Sequence, residues 1–516
     1  MPWYPPHVPP PPAPPTLWDR LSQDGAGSRL LAWAGGVVTI AGVVLLLVLA
    51  IQRGLLGPLP RVVIGAALAF GLVGVGLRLH RTPTARIGAN ALVATGFVGL
   101  YLDVIAATTL YDYLPPWAGL LAGLVVAGLG VAVSQRWDSQ QLAVFVVVCC
   151  AVSAPILTKG FGSLLLGFLL ILTLATAPVH LRKSWPSLAL ASGIPPVVAE
   201  LVRIGLASDG RLAGTEVAVT ALVTTAALIG LTTVAALRGD DDQTFVLFLL
   251  SPLPAVFAAG LLPVTADALL PGVTTVLLVA VWMLRARLPQ RFALAAGGLA
   301  TITGIQATAT ALGGDVRTLV LIGTGLVLGL LAVRLRDTTV LVPAVAFGGI
   351  GFLASLGTPT PPAALLRPES VAVTFGPGGL LIAATAVTLG WAGHRLGVAT
   401  RPLLITAAGV TLYGAATAVL SIGLLISPDR TGFLVGHTLV TVSWTIGALV
   451  LLTRGIDLVA ARVAGLALVG AALVKLVLFD LSSLDGMARV AAFLVAGLIL
   501  LGAGTRYARL VAGRAD

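Results

Sequence analysis

Apolar runs of 18 or more residues recur along nearly the whole chain, separated by short intervals rich in arginine, proline and glycine. A run of that length is what a helix needs to cross ~30 Å of hydrocarbon at ~1.5 Å per residue. A transmembrane barrel would instead show segments of about ten residues alternating in polarity. The pattern therefore predicts an all-α fold, a polytopic transmembrane helical bundle of about eighteen spans. The first two are expected over 30–51 and 62–79, and the last three over 432–453, 459–479 and 488–506. No interval is long enough for a folded domain outside the membrane. The chain thus divides into a proline-rich tail with a short interfacial helix over 1–29, a transmembrane domain over 30–506 and a basic tail over 507–516.

Residues 1–15 hold nine prolines, which enforce an extended polyproline or irregular tail. It reads either as a solvated tail or as the ligand of a proline-recognising protein partner. Thr16 and Asp19 have capping-box spacing and predict a short helix with Trp18 at headgroup level. The first apolar run begins near Leu30 without a small-residue cleavage site, so no signal peptide is expected.

Composition sharpens this picture. Hydrophobic residues make up 58% of the chain, charged residues 10%, and the mean hydropathy is +1.04. A water-soluble globule cannot cover itself from such a composition. The net charge of +11 comes from single arginines at span ends, a pattern of membrane orientation that argues against nucleic-acid binding. With the spans above, 21 of the 31 basic residues fall on the side that holds both termini. That side is therefore expected to be the cytoplasm. Three lysines against 28 arginines, with abundant Ala, Gly and Val, suggest GC-rich bacterial coding. Arginines 78, 136, 182, 238, 285, 334, 395, 454 and 506 recur every 46 to 61 residues. This fits either nine repeated hairpins or the period that any pair of spans with short loops produces. Cys149 and Cys150 lie inside an apolar run and read as small buried hydrophobes, with no other cysteine to complete a metal set.

With this orientation, ionisable and amide side chains inside the spans fall mostly in the external halves: Asp103, Glu200, Arg203, Gln306, His437 and Lys475. Asp480, Asp485 and Arg489 follow in the last external turn. Charge is costly in hydrocarbon, about 3 kcal/mol at the centre on insertion scales, so these nine residues are the candidate lining of one outward-facing polar cavity. Plainer roles stand beside this. Lys475 and Arg203 reach the headgroups by snorkelling, Asp485 caps the last helix, Glu200 pairs with Arg203 at i,i+3, and His437 packs in the interior. Prolines at 155, 195–196 and 252/254 predict kinked or discontinuous spans that free backbone carbonyls. No Walker A loop, HExxH helix, metal-spaced Cys/His set or nucleophile elbow occurs. No cofactor or metal is expected.

Four stretches carry a resemblance. These are RLLAWAGGVVTIAGVVLLL, GLLGPLPRVVIGAALAFGLVGVGLRL, YLPPWAGLLAGLVVAGLGVAVSQR and ARVAGLALVGAALVKLVLFDLSSLDGMARVAAFLVAGLILLGAG. They resemble a group of bacterial predicted membrane proteins, domain of unknown function 2339, from about Arg29 to Arg506. The element Lys475, Phe479, Asp480, Leu481 and Ser482 is its most specific part. The resemblance implies a polytopic inner-membrane protein and no particular activity. Many members are similar in carrying a polar or coiled-coil segment before the first span, where this chain has its proline tail.

Three functions remain open at this level. The first is transport or flipping of an envelope lipid, glycan precursor or other amphiphile through the polar cavity, with membrane lipids as partners. The second is a membrane glycosyl- or acyltransferase acting externally with Asp103, Glu200 or Asp480 as base. The external segment 52–61 lacks acidic residues, which counts against a polyprenyl-phosphate-sugar enzyme. The third is a non-catalytic scaffold of an envelope complex, which the proline tail favours.

Overall fold

The structure, a computed structural model, describes residues 57–367, 372–454 and 459–476, with a few isolated positions outside these ranges. Among the described residues it is helical, with no strand. Thirteen helices are long and apolar enough to cross a membrane, accompanied by three shorter apolar helices, Asp242–Ala258, Leu269–Met283 and Val463–Lys475. Each segment expected between residues 62 and 479 coincides with one of these. The segments expected over 30–51 and 488–506 lie outside the described ranges, as do the proline tail and the final basic residues. The chain forms two compact units, Met1–Leu262 with Met283–Ala293, and Pro263–Trp282 with Leu294–Asp516.

The first unit holds α1 (Pro58–Leu79), α2 (Arg86–Ile105), α3 (Pro116–Trp137), α4 (Gln140–Leu157), α5 (Ser163–Lys183), α6 (Pro186–Ser208), α7 (Gly214–Ala236), α8 (Asp242–Leu250) and α9 (Leu253–Ala258). Proline opens α1, α3 and α6, where its missing N–H costs nothing. Ser139 accepts the Leu142 amide and Asp241 accepts the Thr244 amide, capping α4 and α8. Asp138 and Ser184 end α3 and α5 in the left-handed conformation. The short connections make consecutive helices antiparallel. At one set of ends Lys159 pairs with Asp112. At the other, Lys183 pairs with Asp138, Arg291 bridges Asp240 and Asp242, and His80 stacks on Trp137 at 3.8 Å. Between them lies an apolar core around Phe97, Val146, Leu165, Leu172 and Leu188.

Glycine sets how closely helices approach. A Cβ on Gly96 of α2 would lie 2.6 Å from Val73 Cγ2 and 2.9 Å from the Ala69 carbonyl of α1. Lipid gives no hydrophobic drive between helices, so such backbone-to-backbone fits supply much of the association.

The prolines act differently from one helix to the next. Ser251 and Pro252 divide α8 from α9, as a broken span requires. The Ala255 amide, beyond the break, donates to Thr225 Oγ1 of α7 at 3.2 Å. By contrast α6 runs as a helix through Pro195 and Pro196, and α4 through Pro155, so discontinuity is confined to one of the three expected places. The physical reason is visible in α6. Pro196 cannot bond the Ser192 carbonyl, and Thr173 Oγ1 of α5 donates to that carbonyl at 2.7 Å instead.

The second unit holds α10 (Leu269–Met283), most of α11 (Gln290–Ala311), α12 (Gly314–Leu335), α13 (Thr338–Ser355), α14 (Phe375–Arg395), α15 (Arg401–Ile426), α16 (Arg430–Arg454) and α17 (Val459–Lys475). Here glycines meet glycines. A Cβ on Gly325 would lie 2.6 Å from the Gly348 nitrogen, joining α12 to α13. Gly414 stands likewise 2.6 Å from the Gly379 oxygen, and Gly423 stands 2.6 Å from Gly436 Cα. These fits join α14 to α15 and α15 to α16.

Candidate functional site: a buried carboxylate–guanidinium cluster

Glu200 and Arg203 share one face of α6, near its C-terminal end. The exposed loop after Ser208 turns back through Gly210, whose φ of +72° suits glycine. It delivers α7 antiparallel, with Glu216 in the first turn, where a carboxylate suits the helix dipole. Thr220, one turn further on, faces the same way.

The side chains of Glu200 and Arg203 are both 0% exposed, while Glu216 is 50% exposed. Arg203 Nη2 donates to Glu216 Oε1 at 3.0 Å, and Nη1 stands 3.6 Å from Glu200 Oε2. Thr220 Oγ1 donates to Glu200 Oε1 at 2.7 Å. Glu200 Oε2 and Arg203 Nε and Nη1 find no hydrogen-bond partner among the described residues. One guanidinium therefore serves two carboxylates, and the fully buried carboxylate holds the weaker share of it. Besides α7, the helix α6 packs against α4, α5 and both halves of the divided span. Gly193 of α6 admits Leu247 of α8, since a Cβ there would lie 2.6 Å from Leu247 Cδ2.

Asp103 belongs to the same unit but to a different neighbourhood. It lies in the last turn of α2, just before a π-helical turn, Ala106–Leu110. A Cβ on Gly65 of α1 would lie 2.7 Å from Asp103 Oδ1. Arg61, one turn away from Gly65, donates to the Tyr111 hydroxyl at 3.4 Å. No hydrogen bond or ion pair joins Asp103 to Glu200 or Arg203 among the described residues.

In the second unit, Lys475 at the end of α17 donates to the His437 carbonyl at 3.2 Å and to Thr441 Oγ1 at 2.7 Å. The His437 ring lies 4.5 Å from that of Phe433. Gln306 is partly buried on α11, and its backbone carbonyl accepts from Thr310 Oγ1. Asp480, Asp485 and Arg489 lie outside the described residues. Of the nine candidate residues the structure thus joins Glu200 with Arg203 and His437 with Lys475, in separate units. Glu216, Thr220 and Thr441 complete these two groups and were not singled out by sequence. Glu216 reads there as an ordinary first-turn acid, and threonine in an apolar run carries no signal of its own. The recoverable clue was the short 209–213 loop, which obliges the first turns of α7 to face the last turns of α6.

Fold and site together define a polytopic α-helical membrane protein with a charge cluster buried among its helices. The chain belongs to the family of predicted membrane proteins DUF2339, domain of unknown function 2339, whose family model matches residues 27–303. That match contains Asp103 and the whole Glu200–Arg203–Glu216 cluster and ends before His437 and Lys475. No curated protein and no solved structure matches the chain.

Proposed function

We propose that the protein moves an amphiphile, an envelope lipid or lipid-linked glycan precursor, between the leaflets of the bacterial cytoplasmic membrane. In this reading about eighteen spans with both termini cytoplasmic place the buried cluster at the depth of the outer leaflet. The single observation that carries it is the fully buried Glu200–Arg203 pair, three of whose polar atoms make no hydrogen bond among the described residues. A purely structural bundle has little reason to keep such atoms in hydrocarbon, because each costs free energy without improving the packing. The cluster also lies on a helix that packs against the divided span α8–α9. Discontinuous helices at mid-membrane depth recur where polar groups are handled inside a bilayer.

The test is reconstitution into phosphatidylethanolamine–phosphatidylglycerol vesicles with a headgroup-labelled lipid in both leaflets and a membrane-impermeant quencher outside. Full-length protein is expected to expose the inner-leaflet label to quenching, and Arg203→Met to slow this at least tenfold. Equal quenching with and without protein, for labelled envelope lipids and for a lipid-linked sugar alike, would overturn the proposal.

A further inference from the structure

Counting charge around Glu200 gives a result beyond the movement of lipid. Among the described residues, Arg203 on its own helix and Glu216 on α7 are the charged groups that face it. The other neighbouring helices bring no charge to that end. His180, Arg182 and Lys183 of α5 and Asp242 of α8 stand at the opposite helix ends, and α4 contributes the thiols Cys149 and Cys150. Lys159, beyond α4, is paired with Asp112, while Asp209 and Arg211 lie in the exposed loop. With every group ionised the cluster carries one net negative charge, centred on a carboxylate 0% exposed to solvent. With one proton on Glu200 it is neutral: one guanidinium, one carboxylate, one carboxylic acid. Hydrocarbon strongly favours the neutral set. The geometry matches it, for Arg203 gives its hydrogen bond to Glu216 and stays 3.6 Å from Glu200 Oε2.

We infer that Glu200 is a proton-binding site and that Glu216 is the group through which its proton reaches water. On release the O–H bond at Oε2 breaks and its electron pair stays on that oxygen. The proton passes to the half-exposed Glu216 carboxylate and then to solvent. Arg203 Nη1 then closes the remaining gap to Oε2, so the new anion gains a hydrogen bond as it forms. Thr220 holds Oε1 throughout. The proton site stands by itself; that lipid movement draws on this proton rests on the transport reading above.

Infrared difference spectroscopy on the full chain in lipid nanodiscs tests this. A protonated-carboxyl C=O band should disappear as pH rises. It should be absent in Glu200→Gln and retained in Asp103→Asn. Thr220→Val, which removes a donor to the ionised form, should keep the band to higher pH. Glu216→Gln should retain the band but slow its deuterium exchange at least tenfold. A titrating band unchanged in Glu200→Gln, or no such band in the wild type, overturns the proton site. Wild-type exchange in Glu216→Gln overturns the route. Should Glu200→Gln not fold, the Thr220→Val shift decides, and its absence counts against the site. Lipid movement without a Glu200 band would overturn this inference and leave the transport reading standing. The band without lipid movement would do the reverse.

Discussion

Both units hold a cationic side chain among apolar helices, Arg203 fully buried and Lys475 partly so, and the two meet different groups. Arg203 in the first unit is set between two carboxylates, with no hydrogen bond from its Nε or Nη1 among the described residues. Lys475 in the second gives its protons to a backbone carbonyl and a threonine hydroxyl. Those two hydrogen bonds tie α17 to α16. Two carboxylates sharing one guanidinium match the change of pairing inferred above for Glu200. The difference also follows the side chains themselves. Arginine keeps its charge in nearly any environment and offers a fork that two carboxylates can share, while lysine is a point charge on a flexible stem. The family match covers the first arrangement and not the second.

The comparison breaks most readily at Arg203. Replacing it with methionine takes the cation from Glu216 and denies Glu200 its counter-ion whenever that carboxyl ionises, and is expected to cost on the order of 3 kcal/mol. Thermal unfolding in detergent at neutral pH measures this, and adding Glu200→Gln to the same chain should restore part of the loss. No change in melting temperature for the single variant would show that the cluster is wet and loosely held. Gly423→Val comes next. Its side chain would meet Gly436 Cα at 2.6 Å, and forcing α15 from α16 should cost about 1–3 kcal/mol, with a lower melting temperature at unchanged helix content by circular dichroism.

Lys475→Met should cost less than either, about 1 kcal/mol, because the His437 carbonyl and the Thr441 hydroxyl that lose its hydrogen bonds are neutral acceptors. A loss equal to that of Arg203→Met would remove the contrast between the units. The smallest effect is expected at Asp429, outside the spans. Amides of Gly432 and Thr431 and the Ser427 hydroxyl donate to its carboxylate at the start of α16. They hold its carboxyl below the usual range, with Gly432 as the main cause. A folded-state value below the unfolded ~3.9 means that its stabilisation is present above that pH and fades as pH falls through the folded value. The gap in melting temperature between wild type and Asp429→Ala should therefore be constant near neutrality and narrow in acid.

The spans were legible because hydropathy over 18 residues or more is a property of the local chain. The pairing of Glu200 with Arg203 was legible for the same reason, since i,i+3 spacing fixes it within one helix. What lay beyond reach depended on a second helix. The break at Pro252 and the continuity at Pro196 look alike in sequence. They diverge because Thr173 of α5 supplies a hydrogen bond to the carbonyl that Pro196 frees, while the Ser251–Pro252 junction is met by Thr225 on its far side. Likewise Glu216 enters the site only by facing α6. The expectation of a common cavity for all nine residues rests on shared depth, and which helices are neighbours is set by packing that depth does not encode.

The glycine contacts have a consequence for how the protein is made. Gly96 with Ala69, Gly325 with Gly348, and Gly379 with Gly414 each join helices that follow one another in the chain. Every such fit can close as soon as the second helix leaves the ribosome and enters the bilayer, without waiting for a distant partner. The same holds for the Glu200 cluster, whose members span only residues 200–220. Biogenesis can then proceed hairpin by hairpin, and the costliest charges acquire their counter-ions within one insertion event.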